Sequence, residues 1–212
     1  MEITGAIFDF DGTLFDSMQI WAGIKERYLA HHGITLTQED HEAFKDLHLQ
    51  EVLGLANIRF NMQMTARELF DDFFGFIGQC YMAEAEPKND IVQFLDKLKA
   101  KGVRMGIATA TSEFALTPLL AKYGMLDYFS AVYSVYTVGS SKTESKVYDV
   151  VREALGTDKQ TTWVFEDALY AAKTAKASGY NLVGIYDPTE PCTDELKAIA
   201  DIYIHNYSEI DW

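Results

Sequence analysis

Basic residues are scarce in this chain of 212 residues: 18 Lys and Arg stand against 32 Asp and Glu, giving a formal net charge of −14. Proteins that hold nucleic-acid backbones or anionic membranes rely on Lys and Arg to neutralise phosphates. The charge balance therefore argues against nucleic-acid and membrane partners. With 48% hydrophobic and 24% charged residues, the composition is that of a folded protein with a packed core.

Cysteine and long apolar runs are also scarce. Cys80 and Cys192 lie far apart and show no metal-binding spacing, so we expect reduced thiols with structural roles. No segment reaches the ~18 apolar residues of a membrane-spanning helix, and the N-terminus lacks the basic opening of a secretory signal. We therefore expect a cytoplasmic protein. The sequence leaves open whether it is a monomer or a homodimer.

Short apolar segments alternate with helical patterns along most of the sequence. Helices are expected after a cap at Asn89, after a cap at Ser112 with a kink or late start at Pro118, and over 146–155 and 168–178. Such alternation predicts βαβ units and an α/β fold with a doubly wound parallel sheet. The predicted strands are 3–8, 103–108, 131–135, 162–165, 182–186 and 202–204.

Residues 16–86 break the alternation, because helical signals dominate them. A helix is expected from Ser17 to near Gly33, and Thr65 begins a capping-box pattern for another. Apolar and aromatic side chains crowd that last helix, as in a helical-bundle core: Leu69, Phe70, Phe73, Phe74, Phe76 and Ile77. The expected domains are an all-helical domain over 16–86, inserted into a core domain formed by 1–15 and 87–212.

Two pairs of acidic residues end predicted strands. Asp9 and Asp11 follow the first strand, where residues two apart point the same way, and Gly12 allows the tight turn after them. Glu166 and Asp167 end the strand 162–165, although Asp167 is also suited to cap the next helix. Carboxyl ends of parallel strands share one edge of a sheet, so the two pairs are expected to meet. Clustered carboxylates repel one another unless a divalent cation binds between them or the pKa of one of them is raised. Hard oxygen ligands of this kind suit Mg²⁺.

Hydroxyl and amine groups follow two other predicted strands. Thr109 ends one strand, and the hydroxyls and free backbone N–H groups of residues 109–112 can hold a phosphate oxygen, although Ser112 also fits a plain helix cap. Lys142 and Lys146 lie around the start of a predicted helix, where a lysine opposes the helix dipole. Their positions leave open which of the two faces a site.

These motifs, in this order, resemble those of the haloacid dehalogenase superfamily, in the branch of phosphoglycolate phosphatase-like and beta-phosphoglucomutase-like enzymes. The sequence DFDGT at 9–13 resembles the nucleophile motif, Thr109 the hydroxyl motif and Lys142 the lysine motif. The acidic motif is matched by Glu166 and Asp167, followed by Ala171, Ala175 and Gly179. The resemblance covers essentially the whole chain and implies a Rossmann-like core with a helical cap over the site.

The resemblance implies a phosphatase that hydrolyses a small phosphorylated metabolite through an aspartyl-phosphate. Asp9 would be the nucleophile and Asp11 the general acid and base, while Lys142 and Thr109 would hold the phosphoryl oxygens. Mg²⁺ is implied as the cofactor, and its ligands would be Asp9, the backbone carbonyl of Asp11, Asp167 and, directly or by orienting another ligand, Glu166. The implied substrate-binding residues are Gly12, Thr13, Thr109, Ala110 and Lys142. In the stretch 44–51, His48 and Lys45 are further candidates for substrate contacts, although an exposed histidine and lysine at a protein surface are the more common outcome.

The sequence departs from the family motifs at two places, and it lacks the residues that mark the family's mutases. Thr143 and Ser145 replace prolines that usually accompany the motif lysine, and Ala171 replaces a glycine. Family mutases carry an arginine and a glycine in a cap loop, and residues 44–51 contain neither. The sequence therefore predicts a hydrolase, with a sugar-phosphate mutase as the alternative and a non-catalytic interaction module as the less favoured one. Asp11 also favours phosphate chemistry over dehalogenation, which needs no acid for a halide.

Overall fold

The computed structural model describes residues 2–45 and 47–212; Met1 and Asp46, the latter within the stretch 44–51, lie outside the described residues. The strands are β1 (Gly5–Phe8), β2 (Phe15–Asp16), β3 (Glu86–Pro87), β4 (Arg104–Thr109), β5 (Phe129–Ser134), β6 (Thr162–Glu166), β7 (Asn181–Ile185) and β8 (Ile202–Ile204). The helices are α1 (Met18–Trp21), α2 (Ile24–His31), α3 (Gln38–Phe44), α4 (Leu49–Arg59), α5 (Ala66–Glu84), α6 (Ile91–Ala100), α7 (Glu113–Lys122), α8 (Val135–Val138), α9 (Lys146–Leu155), α10 (Leu169–Ala177) and α11 (Thr193–Ile199).

The main sheet is parallel throughout and has the order β5-β4-β1-β6-β7-β8. This arrangement confirms the predicted doubly wound fold. All four residues of β1 are buried, as expected for a central strand of a parallel sheet covered on both faces. All six predicted strands are present, although β5 starts at Phe129 rather than at residue 131. The carboxyl ends of β1, β4 and β6 therefore lie side by side at one edge.

Side chains of β1 alternate between two cores. Ala6 and Phe8 face a large core that extends into the helical insertion, whereas Ile7 faces a smaller core beneath α9 and α10. The ring of Phe8 stacks on that of Phe165 in β6, with centroids 4.3 Å apart. Packing on both faces holds β1 and β6 in register, and this register positions the residues that follow them.

The insertion consists of α1 to α5, and the chain enters and leaves it through β2 and β3, which pair antiparallel. Thr37 and Thr65 both form the reciprocal hydrogen bonds of a capping box at the starts of α3 and α5. The expected apolar face of α5 is buried at Leu69, Phe73, Phe74 and Ile77. Of the helices in the described ranges, none combines the length and apolar character needed to cross a membrane.

Three local predictions were wrong. The helix expected from Ser17 to Gly33 is broken between α1 and α2, because Gly23 adopts a left-handed conformation with φ of 68°. Asp90, and not Asn89, is the residue that precedes α6. Helix α7 begins at Glu113 and includes Pro118, so the late start is wrong, while a kink at Pro118 stays a prediction. Proline has no backbone N–H, so the carbonyl four residues earlier, on Phe114, lacks its helical hydrogen bond. Phe114 is exposed, and water can reach this turn of the helix.

Candidate active site

The polar residues predicted to act together follow three adjacent strands. Asp9 comes after β1, Thr109 ends β4, and Glu166 ends β6 with Asp167 next to it. Phe8 is in register with Phe165, so the residues after the two strands meet at the same edge. The structure therefore brings both predicted acidic pairs to one place.

Three carboxylates form a buried cluster at this edge. Oxygens of Asp9, Glu166 and Asp167 all lie within 4.8 Å of one another, and all three residues are buried. Burial and the neighbouring Glu166 carboxylate raise the pKa of Asp9 and of Asp167 well above the usual value. Because these pKa values are higher in the folded than in the unfolded chain, the metal-free fold loses stability as the pH rises through them. A set of hard oxygen donors with surplus negative charge fits a divalent cation.

Lys142 supplies the positive charge of the cluster. Its Nζ atom lies 2.5 Å from Oδ1 of Asp9 and 2.5 Å from Oε1 of Glu166, and the residue is buried. Burial alone would lower the pKa of Lys142, but the charges of Asp9 and Glu166 outweigh burial and raise the pKa above its usual value. Lys146 is exposed, and its Nζ donates to the carbonyl of Gly139 instead. Of the two lysines, the structure thus places Lys142 in the acidic cluster.

Asp11 is held by three hydroxyl donors from separate parts of the chain. Ser17 donates to Oδ1 at 2.7 Å, Tyr81 donates to Oδ1 at 2.5 Å, and Thr111 donates to Oδ2 at 2.6 Å. Tyr81 lies on α5, so the helical insertion contributes directly to the orientation of this carboxylate. Asp11 is therefore fixed beside Asp9 without sharing the ion pair with Lys142.

The turn after Asp11 positions Asp167. Thr13 donates from Oγ1 to Oδ1 of Asp167 at 2.9 Å, and the carbonyl of Thr13 accepts from the hydroxyl of Tyr207 at 3.0 Å. Gly12 has φ of 77°, and a Cβ atom there would lie 2.2 Å from Oδ2 of Asp167. The turn therefore needs glycine both for its backbone conformation and for its contact with the carboxylate.

Gly12→Ala is expected to displace the Asp167 carboxylate and to weaken the binding of a divalent cation at the acidic cluster by about 10- to 100-fold, the usual effect of disturbing a group that orients a metal ligand. Gly33→Ala is the matched control, because Gly33 also has positive φ, at 74°, and a Cβ there meets nothing within 4 Å. Both variants share the backbone strain, and only the first touches the site. Titration of each protein with Mg²⁺ by calorimetry measures the difference; equal affinities would contradict the positioning role of Gly12.

The cavity over the acidic cluster has a volume of about 280 Å³. Asp9, Asp11, Ala110, Lys142 and Asp167 all line it. Thr109 is fully buried, and its Oγ1 accepts from the backbone N–H of Thr111 at 3.0 Å. His48 is exposed at the start of α4 and is not among the residues that line the cavity, whereas the next residue, Leu49, is. A substrate contact by His48 stays a prediction.

Four residues support the acidic side chains in ways that the sequence did not predict. Ser17 donates to Asp11 but is expected from the sequence only to begin a helix, and Thr111 is expected only as part of the phosphate-holding segment 109–112. Thr111 and Tyr81 bind Asp11, and Tyr148 donates to Oε1 of Glu166 at 3.1 Å. Alternation at the end of β4 could have indicated Thr111, since it lies two residues beyond Thr109. No local pattern marks Tyr81 or Tyr148, because each reaches its partner only through helix packing.

Comparisons with known proteins agree with this geometry. The family model described as haloacid dehalogenase-like hydrolase matches residues 6–185. The chain is 27% identical over 191 residues to a phosphoglycolate phosphatase of Yersinia pseudotuberculosis, covering 86% of this chain and 81% of that protein. It is 24% identical over 211 residues to hexitol phosphatase B of Escherichia coli K12, covering 99% and 95%. The fold is shared with a beta-phosphoglucomutase structure from Clostridium difficile, with a TM-score of 0.67, 17% identity and coverage of 99% and 94%.

Proposed function

The chain belongs to the haloacid dehalogenase-like hydrolase family of enzymes, and on that premise we propose that it is a Mg²⁺-dependent phosphatase acting on a small phosphorylated metabolite. The observation that carries the proposal is the buried constellation of Asp9, Glu166 and Asp167 with Lys142 paired to Asp9. Names of the relatives, among them phosphatases for phosphoglycolate and for hexitol phosphates, agree with this class of reaction.

In this proposal a carboxylate oxygen of Asp9 attacks phosphorus and forms the aspartyl-phosphate while the bond to the leaving oxygen breaks. Asp11 donates a proton to that oxygen, and the alcohol leaves. Asp11 then takes a proton from the water that attacks the phosphorus, which releases inorganic phosphate and restores Asp9. The ion pair of Lys142 with Asp9 supports a role for Lys142 in holding the phosphoryl oxygens.

Bound Mg²⁺ would neutralise charge on the transferring phosphoryl group. We propose Asp9, the backbone carbonyl of Asp11, Glu166 and Asp167 as the residues that hold it. Oε1 of Glu166 already pairs with Lys142 and accepts from Tyr148, whereas Oε2 accepts from the backbone N–H of Asp167 at 3.2 Å. A carboxylate oxygen has more than one lone pair, so Oε2 is the atom of Glu166 that we propose for the cation.

We further propose that residues 16–86 act as a cap domain over the core of 1–15 and 87–212. Only the paired segments β2 and β3 carry the chain between the two. Nζ of Lys88, beside β3, lies 2.6 Å from Oδ1 of Asp16 and 3.0 Å from Oδ2 of Asp187, which ties both crossing segments to the core. A cap in this place excludes water from the reaction and selects the leaving group.

Release of phosphate tests the proposal. The purified protein with Mg²⁺ is expected to hydrolyse p-nitrophenyl phosphate, and removal of the metal with EDTA should lower the rate by about 100-fold or more. A rate of hydrolysis that EDTA leaves unchanged would contradict the metal-dependent mechanism. The mutase alternative is examined with beta-glucose 1-phosphate and a trace of the bisphosphate: glucose 6-phosphate formed without free phosphate would replace the hydrolase by a mutase.

A further inference from the structure

The cavity over the acidic cluster has two chemically distinct sets of lining residues. Asp9, Asp11, Thr111, Lys142 and Asp167 form the polar set, where the phosphoryl group is proposed to react. The second set is apolar or aromatic, and we call it the apolar wall; it consists of Met18, Trp21, Leu49, Tyr136 and Tyr170. A leaving group attached to the phosphoryl group would have to lie against the apolar wall.

The apolar wall is held in place by packing within the insertion and by packing between the insertion and the core. The ring of Trp21, on α1, packs on Phe73 of α5 with centroids 6.5 Å apart. Tyr136, on α8 of the core, meets Phe70 and Phe74 of α5 edge-on, at 5.0 and 5.3 Å. A preorganised aromatic surface binds an apolar group without the entropy cost of ordering side chains.

Positive charge is almost absent from the cavity. Among the described residues that line it, Lys142 is the one cation, and Asp9 and Glu166 already occupy its ammonium group. The lysines that flank this part of the insertion are engaged elsewhere: Lys45 pairs with Glu42, and Lys25 donates to the carbonyl of Leu47 at 3.0 Å. A carboxylate or second phosphate on the leaving group would therefore lose water and gain no cationic partner.

We propose that this enzyme selects phosphate monoesters whose leaving alcohol is uncharged and carries an apolar or aromatic face, and that it discriminates against leaving alcohols with a second anionic group. The inference rests on the proposed phosphatase function and specifies its substrate class. Trp21, Leu49 and Tyr136 are the specificity-determining residues, because they belong to the apolar wall that the leaving group meets.

A matched pair of esters tests the selection. Benzyl phosphate and 4-carboxybenzyl phosphate have the same benzylic leaving oxygen and differ by one remote carboxylate. With Mg²⁺ we expect kcat/KM to be about 100-fold higher for the uncharged ester, since the remote carboxylate would lie near the acidic cluster without a cationic partner. Equal values, or a preference for the carboxylated ester, would overturn the proposal.

A cation placed in the apolar wall should change the preference. In Leu49→Lys, the ratio of kcat/KM for the uncharged ester to kcat/KM for the carboxylated ester is expected to fall to about tenfold or less, because the new lysine gives the carboxylate a cationic partner. Leu55→Lys is the control on the same helix, since Leu55 is exposed and does not line the cavity; it should leave the ratio unchanged. An equal shift in both variants would show that net charge, and not the apolar wall, determines the selection.

A binding measurement separates this proposal from the proposed function. The non-hydrolysable analogues 2-phenylethylphosphonate and its 4-carboxy derivative are titrated into the Mg²⁺-loaded wild-type protein by calorimetry. Tighter binding of the uncharged phosphonate, by about tenfold or more, supports the selection even if no ester is hydrolysed. Equal binding contradicts the selection even if phosphate release is rapid.

Discussion

Asp9→Asn is expected to lower phosphate release by about 10⁴-fold or more, because an amide cannot form the acyl-phosphate on which the proposed reaction depends. The variant should nevertheless fold. The substitution removes one of the three clustered carboxylates, and Lys142 keeps its ion pair with Glu166. Burial and repulsion already disfavour the charged form of Asp9, so a neutral side chain of the same shape is tolerated.

Steady-state phosphate release with Mg²⁺ measures the loss, and thermal unfolding of the same preparation shows that the fold is intact. Asp127→Asn is the control, since Asp127 is exposed and lies outside the cavity; its rate should match that of the wild type. An Asp9→Asn variant with wild-type turnover would remove Asp9 as the nucleophile. Loss of folding in that variant would instead assign Asp9 a structural role.

Lys142→Met is expected to destabilise the protein by about 3–5 kcal/mol, because Asp9 and Glu166 are left buried without their cation. For a chain of this size that loss corresponds to a decrease in Tm of about 10 °C. The effect should shrink as the pH is lowered, since protonation neutralises the carboxylates that Lys142 pairs with. Turnover should also fall, by about 100-fold or more, because the phosphoryl oxygens lose a cation.

Lys146→Met is the matched control, because Lys146 is exposed and bonds only a backbone carbonyl in this region; its Tm is expected to change little. A second comparison isolates the ion pair: adding Glu166→Gln to Lys142→Met should restore part of the lost stability, since one of the two unpaired charges is gone. Unfolding of all four proteins at several pH values provides the measurement. Equal Tm values for the two lysine variants would disprove the proposed electrostatic role of Lys142.

Much of the fold could be read from local patterns. A run of buried residues that stops at Asp9 is a strand with a polar carboxyl end, and parallel pairing then places such ends together. The helical character of 16–86 could also be predicted from the sequence, because capping boxes and the apolar face of α5 are local signals. The predicted ends of helices were less accurate where a single backbone angle ends a helix. At Gly23 a left-handed conformation divides the predicted first helix of the insertion into two.

The sequence by itself determined the chemistry of this protein: the acidic strand ends, the glycine turn, the parallel sheet that unites them and the family to which they belong. Spacing along one strand or one turn indicates the acidic strand ends and the glycine turn, and the alternation of strands with helices along the chain indicates the parallel sheet. Only the tertiary structure decided that Lys142 rather than Lys146 meets Asp9, that Tyr81 reaches Asp11, and that an apolar wall faces the acids. Those contacts join residues distant in sequence, and the packing of whole helices against the sheet sets which of them touch.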